Sequence, residues 1–170
     1  MSIGRLSFAI TFTLLFLSWV FVRMVLSVQF DQNCGGYLKR AADSATIEIA
    51  IKELDIALRY MEDHSLTGGY TSIFYRTPDE DIAFWYTNIK AAHDELITLP
   101  KEASPLERTN VLMKLRETLL DEDSKRFEIT LPSGISVYPF NGMFALWGWA
   151  SSILTFLFGC LWLKDLKDSD

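Results

Sequence analysis

Hydrophobic residues form two long stretches in this chain, one near each end of the sequence. The first covers residues 6–30 and the second covers residues 140–163. A helix needs about 20 mostly apolar residues to cross about 30 Å of hydrocarbon, because it rises about 1.5 Å per residue. Both stretches meet that length. We therefore predict a transmembrane helix at residues 6–30 and another at residues 140–163.

The first stretch has a second interpretation, as a cleaved signal peptide. Arg5 would form its basic segment, and residues 25–27 would serve as a small-residue cleavage site. The uncharged core at residues 6–22 is longer than the 7–15 residues or so that signal peptides usually have, which favours an uncleaved anchor. Arg23 is the only charged residue of either stretch. We expect its long side chain to reach the lipid headgroups, with a role in ion passage as the alternative.

Three segments between these stretches carry apolar residues at helical spacing. The first predicts one long helix over residues 37–64, closed by the glycine pair that follows it. The second helix is predicted to begin at Thr77 as its N-cap and to end before Pro100. The third is predicted to begin at Ser104, with Glu107 completing a capping box. It should end near the acidic triplet at 121–123. The apolar face of the first helix consists of Ile47, Ile51, Leu54, Leu58 and Met61.

Residues 126–139 are rich in β-branched and aromatic types and contain a Pro-Ser-Gly turn at 132–134, which predicts two short strands. The predicted fold is thus an all-α membrane protein in which two transmembrane helices flank a three-helix bundle domain, with a short β-hairpin before the second span. The predicted regions are an N-terminal tail (1–5), a first span (6–30), a central domain (31–139), a second span (140–163) and a C-terminal tail (164–170).

Charge is concentrated in the central segment. Between Gln29 and Pro139 there are 12 lysine and arginine residues against 19 aspartate and glutamate residues. An acidic balance of this kind argues against nucleic acid as a partner, because phosphate binding needs clustered positive charge. The basic residues that flank the two spans are nearly balanced, and the signal-like start favours cytoplasmic termini. We therefore expect a multi-pass protein of the cell membrane, a bacterial inner membrane, with an extracytoplasmic (periplasmic) central domain.

The sequence offers little that points to catalysis. Its two histidines, His64 and His93, lie in different predicted helices, and no set of three or four ligands has the spacing of a zinc site. The acidic triplet at 79–81 suits a helix N-terminus, whereas the triplet at 121–123 leaves a divalent-cation site as the alternative to solvated surface. We predict no catalytic residue, no metal and no cofactor, and hence no enzyme.

The second span carries small residues on one helical face, at steps of three and four. These are Ala145, Gly148, Ser152, Thr155 and Gly159. Small residues let helix backbones approach closely in lipid, so this face is predicted to pack against another helix. Two partners are open: the first span of the same chain, with a sparser counterpart at Ser7, Thr11 and Ser18, or a second copy or different membrane protein.

The two cysteines, Cys34 and Cys160, should not meet, because about 20 helical residues separate Cys160 from the outer surface. Cys34 is then a lone thiol, either a small buried residue or the site of an intermolecular disulfide.

The predicted function is that of a two-pass membrane protein whose helical domain is an interaction or scaffold module, as an accessory subunit or homo-oligomer of a membrane complex. The alternative is a ligand-sensing module that signals through its spans to a separate partner. The layout resembles that of bacterial receptor input domains and of two-span polysaccharide co-polymerases, which is a likeness of architecture and not of function. After Leu163 only seven residues follow. That tail is too short for a signalling effector.

Overall fold

The computed structural model of the chain describes residues 2–123 and 126–167, which are mostly helical. The chain divides into two compact units. One contains residues 1–27 and 139–170 and holds two long helices, whereas the other, the central unit, comprises Val28–Tyr138. The α-helices of the described residues are α1 (Ser2–Phe30), α2 (Gly36–Ala42), α3 (Ile47–Asp63), α4 (Ile82–Thr98), α5 (Pro105–Leu119) and α6 (Asn141–Lys167).

Helices α1 and α6, which we call the helix pair, are each long and apolar enough to cross a membrane. They pack through aromatic side chains: the ring of Phe158 lies 5.1 Å from that of Phe8 and 5.5 Å from that of Phe12. The indole N–H of Trp19 donates a hydrogen bond of 2.7 Å to the Phe144 carbonyl oxygen. Aromatic contacts therefore join the two helices at two levels along their length.

The long helix predicted over residues 37–64 is divided in two. A π-helical turn (Asp31–Gly35) leads into α2, which ends at Ala42, and α3 begins at Ile47. Thr46 adopts an extended conformation, and its hydroxyl accepts a hydrogen bond from the Ile49 N–H. The break has a physical reason, because the polar side chains of Asp43, Ser44 and Thr46 offer the backbone alternatives to helical hydrogen bonds.

The predicted start of the second central helix was also wrong. Residues Pro78–Glu80 form a 3₁₀ turn, and α4 begins only at Ile82, capped by the Asp81 carboxylate, which accepts from the Phe84 N–H. The Thr77 hydroxyl instead donates to Glu80. In contrast, the capping box predicted for the third helix is confirmed, with Ser104 and Glu107 satisfying each other's backbone N–H groups.

The antiparallel hairpin is present, but it lies earlier than predicted. Strand β1 (Leu120–Asp123) pairs with β2 (Arg126–Ile129), with Leu120 opposite Ile129. The Pro-Ser-Gly turn is followed by a 3₁₀ turn (Ile135–Val137), not by a second strand. Leu120 and Ile129 both pack against the core, so this pairing adds Leu120, which the predicted hairpin left out of the sheet.

Among the described residues of the central unit, the core lies between four helices and not three. Helix α2 packs against both α3 and α5, and so does α4. The short segment that was predicted to belong to a longer helix therefore completes the bundle as a separate element. The largest fully buried side chains are those of Leu38, Leu54, Met61, Ile82, Ile89, Leu96, Leu115 and Leu119.

Candidate functional site

The connection between α3 and α4, residues 64–81, is held firmly at its base. Leu66 is buried, and Gly69 adopts a left-handed conformation (φ 100°) that a residue with a side chain rarely takes. The Gly69 carbonyl accepts from the Ile82 N–H at 3.0 Å, and the Thr71 N–H donates to the Glu80 carbonyl at 3.1 Å. These bonds bring the two ends of the connection together and project its middle outward.

The middle of this connection presents apolar side chains to solvent. We call residues Ile73, Phe74 and Tyr75 the aromatic tip. The side chain of Phe74 is 86% exposed and that of Tyr75 is 81% exposed. Two adjacent aromatic side chains are seldom this exposed, because each can bury about 150–250 Å² in a contact. The tip is therefore an apolar patch with no partner in the described chain.

Polar groups border the aromatic tip. The Arg76 guanidinium lies 5.4 Å from the centre of the Tyr70 ring, which is a cation–π distance. The following carboxylates are used locally, since Glu80 accepts from Thr77 and Asp81 caps α4. A polar border around an apolar centre is the usual composition of a protein docking surface.

A cleft of about 600 Å³ lies in the same unit, between the first half of α4 and the β-hairpin. One wall is formed by Trp85, whose indole N–H donates to the Thr130 carbonyl at 2.8 Å. The described residues that line the rest of the cleft include a phenylalanine and an asparagine, but no lysine, arginine or histidine. The acidic lining residues are Asp79, Asp81, Asp121 and Glu128. This cleft would favour a cationic ligand.

The five small residues predicted to pack within the membrane all lie beside grooves that α1 helps to form. Ala145, Gly148 and Ser152 line one groove, and Thr155 and Gly159 line another. Gly148 alone is buried among the five, and a Cβ atom there would lie 2.7 Å from the Trp19 ring.

The buried face of α6 is turned slightly from the predicted one, because Ser151 is buried and Ser152 is exposed. The predicted counterpart on α1 is not used, since Ser7, Thr11 and Ser18 are exposed. The hydroxyls of Thr11 and Ser18 bond to carbonyls of their own helix. Aromatic residues of α1, Phe8, Phe12 and Trp19, face α6 instead. The positions of serine and threonine could not predict this face.

The two cysteines occupy different surroundings. Cys34 is completely buried, and desolvation, with a smaller contribution from the nearby Asp31 charge, raises the pKa of its thiol to about 12. Such a thiol is almost wholly protonated at neutral pH and reacts slowly. An intermolecular disulfide at Cys34 would therefore require local opening of the central unit. Cys160 is exposed on α6.

Among residues 2–123 and 126–167, no group of three or more metal-ligating side chains is close enough together to hold an ion. His93 lies 2.8 Å from the Asp55 carboxylate, and His64 stacks on Tyr60 with ring centres 4.0 Å apart. His93 thus links α4 to α3, whereas His64 stacks on a residue of the helix that it follows.

Periodicity in the sequence did not identify the aromatic tip, because its residues lie outside any helical pattern. The available signal was three apolar residues in succession between two predicted helices. Compared with known proteins, the chain matches no family model, no curated protein and no solved structure.

Proposed function

We propose that this chain is a two-pass integral membrane protein whose central unit is an interaction module, acting as an accessory subunit or homo-oligomer of a membrane complex. The lengths and apolar character of α1 and α6 support the membrane assignment. Many of their other large apolar side chains are exposed, as lipid-facing residues are. Leu146 and Phe156, for example, are 71% and 75% exposed.

The aromatic tip is the observation that carries the interaction proposal. Among the central-unit residues whose exposure is described, Phe74 and Tyr75 are the most exposed large apolar ones, and hydrogen bonds at the base of the loop join its two ends. A partner that covers them loses little conformational entropy in ordering the loop. Exposed aromatic residues of this kind are frequent centres of binding energy at protein interfaces.

The test is a double variant, Phe74→Ser with Tyr75→Ser, in the full chain purified in mild detergent. Light scattering after size exclusion should give a protein mass above that of one 19.4 kDa chain for the wild type and the single-chain mass for the double variant. Leu106→Ser is the matched control, because Leu106 is 69% exposed and belongs to α5, not to the loop. A single-chain mass for the wild type would refute the homo-oligomer, and an unchanged complex in the double variant would refute the aromatic tip as its contact.

The second candidate function is ligand sensing, and the acidic cleft favours it. A ligand that binds only the folded state raises the unfolding temperature as its occupancy rises. Spermidine, a polyamine cation, should stabilise the wild type, and the effect should weaken in the variant with Asp121→Asn and Glu128→Gln. No stabilisation at millimolar spermidine would remove this candidate for polyamines.

We place the protein in the cell membrane, with the central unit on the extracytoplasmic side. Cys34 cannot report this orientation, because its thiol is buried. Lys101→Cys introduces a thiol at an exposed position between α4 and α5. An impermeant maleimide should label that thiol in intact cells, and labelling only after lysis would reverse the orientation.

A further inference from the structure

A groove of about 380 Å³ opens on the side of the helix pair, and we call it the Arg23 groove. It is lined from α1 by Phe16, Trp19 and Arg23, and from α6 by Ala145, Gly148, Trp149 and Ser152. Its walls are aromatic or small, with one cation and one hydroxyl among them. Both helices contribute, so the groove exists only while they are paired.

The aromatic wall of this groove is fixed by contacts on two sides. The Trp19 indole N–H donates to the Phe144 carbonyl at 2.7 Å, and the same ring packs against Gly148 so closely that even a methyl group there would collide with it. The Arg23 guanidinium lies over that ring, 5.5 Å from its centre. The cation is therefore held beside a preformed apolar slot.

Arg23 lacks an anionic partner in the described part of the helix pair. Arg5, the other arginine of α1, pairs with Asp165. No carboxylate of the described helix-pair residues lies within ion-pair distance of Arg23, and the Trp19 ring offers only a weak attraction. A charge within an apolar span is costly unless an anion or water meets it. The described residues of the helix pair thus supply no counter-charge for this cation.

We propose that the Arg23 groove binds an anionic phospholipid, with the guanidinium against its phosphate and an acyl chain along the slot. The planar guanidinium suits a phosphate because it donates two parallel hydrogen bonds. The apolar walls favour a lipid over free phosphate, which has no chain to fill them. This inference rests on the proposed membrane residence of α1 and α6.

Native mass spectrometry of the full chain in detergent tests the proposal, with dioleoyl phosphatidylglycerol and dioleoyl phosphatidylcholine as probes. The wild type should bind the anionic lipid about tenfold more tightly, which corresponds to about 1.4 kcal/mol. Arg23→Gln should reduce its affinity to that of the zwitterionic lipid. Lys164→Gln is the control, because it removes one positive charge from α6 outside the groove and should leave the preference unchanged.

A second variant separates the groove from the charge alone. Ala145→Leu fills the slot without altering any charge, and it should weaken phosphatidylglycerol binding several-fold. Equal binding of both lipids by the wild type, an unaffected Ala145→Leu variant, or displacement of the lipid by inorganic phosphate at millimolar concentration would each overturn the proposal.

Alkaline carbonate extraction of membranes from cells that produce the chain distinguishes failure of this inference from failure of the membrane assignment. A wild-type chain that stays in the pellet but shows no preference for the anionic lipid contradicts the Arg23 groove alone. A chain released into the supernatant contradicts the membrane residence on which the groove depends.

Discussion

The two units of this chain use apolar residues in opposite ways. In the central unit the largest aliphatic side chains, such as Leu38 and Leu54, are fully buried. In the helix pair, large side chains such as Leu14 and Phe156 are exposed, whereas the inner face holds Gly148 and Ser151. The hydrophobic effect favours the first arrangement, because burial removes apolar surface from water. The second is favourable only where the surroundings are themselves apolar, and this contrast supports a hydrocarbon environment for α1 and α6.

Polar groups differ between the two units as well. The hydroxyls of Thr11 and Thr13 donate hydrogen bonds to carbonyls one turn back in α1, so they need no partner outside the helix. In the central unit polar side chains connect different helices, as where the Tyr86 hydroxyl donates to Glu62 at 2.7 Å. That hydrogen bond is the main cause that raises the pKa of Tyr86 to about 12. The hydroxyls of Thr11 and Thr13 are thus satisfied within α1, whereas the Tyr86 hydroxyl connects two helices of the central unit.

The largest expected effect is the difference in stability between two leucine-to-alanine substitutions, one made in each unit. Leu54→Ala removes a fully buried side chain from α3 and should lower the free energy of unfolding by about 2–5 kcal/mol, through lost transfer energy and a cavity. Leu14→Ala should change stability by less than about 0.5 kcal/mol, because this exposed side chain leaves no cavity behind. Chemical unfolding in mild detergent, followed by circular dichroism, measures both. Similar losses in the two variants would contradict the contrast between the units.

A pair of glycines gives the next largest effect, within the helix pair itself. Gly148→Leu places a side chain where the Trp19 ring already lies, and the indole cannot yield without losing its hydrogen bond to Phe144. Overpacking of this kind costs about 1–3 kcal/mol. Gly159→Leu is the matched control, since no atom lies within 4 Å of a Cβ built there.

Disulfide trapping between cysteines placed on the two helices reports their pairing. We expect Gly148→Leu to reduce trapping and Gly159→Leu to preserve it. The close approach at Gly148 would be refuted if trapping survived the first variant as well as the second.

Periodicity predicted the helices well, whereas it could not predict the breaks between them. The face of α3 was predictable because Leu54, Leu58 and Met61 repeat at helical spacing, and all three are buried. The separation of α2 from α3 was missed because residues 43–46, three of them polar, fit a helix pattern as readily as a cap. The choice between them depends on how α2 packs against α5, a contact between segments far apart in sequence.

The candidate sites were less predictable for a related reason. Small residues identified Gly148 as a contact, but the aromatic ring that packs on it comes from α1, where periodic serines and threonines suggested a different face. Exposure of Phe74 and Tyr75 depends on how the loop is closed by Gly69 and Ile82. A local pattern shows which residues are apolar, and only the folded chain shows which of them remain uncovered.

The smallest expected effect concerns the α5 capping box, which should make the central unit sensitive to pH. Ser104→Ala should lower its stability by about 1 kcal/mol at neutral pH, because the first turn of α5 loses its N-cap. Hydrogen bonds from the Ser104 backbone N–H and hydroxyl lower the pKa of Glu107. Since the folded pKa lies below the unfolded one, this stabilisation is fully present above about pH 4.3 and is lost as the pH falls through the folded pKa.

Unfolding measured from neutral to acidic pH checks the sign of this effect. Glu107→Gln should abolish the loss of stability in acid that protonation of Glu107 causes. Glu117→Gln, a change of the same kind farther along α5, should leave that loss unchanged. Glu107 lies in the central unit, so Glu107→Gln should leave disulfide trapping between α1 and α6, measured at neutral pH, unchanged. Loss of trapping in Glu107→Gln, with no change in the acid sensitivity of the central unit, would contradict the assignment of this effect to the α5 capping box.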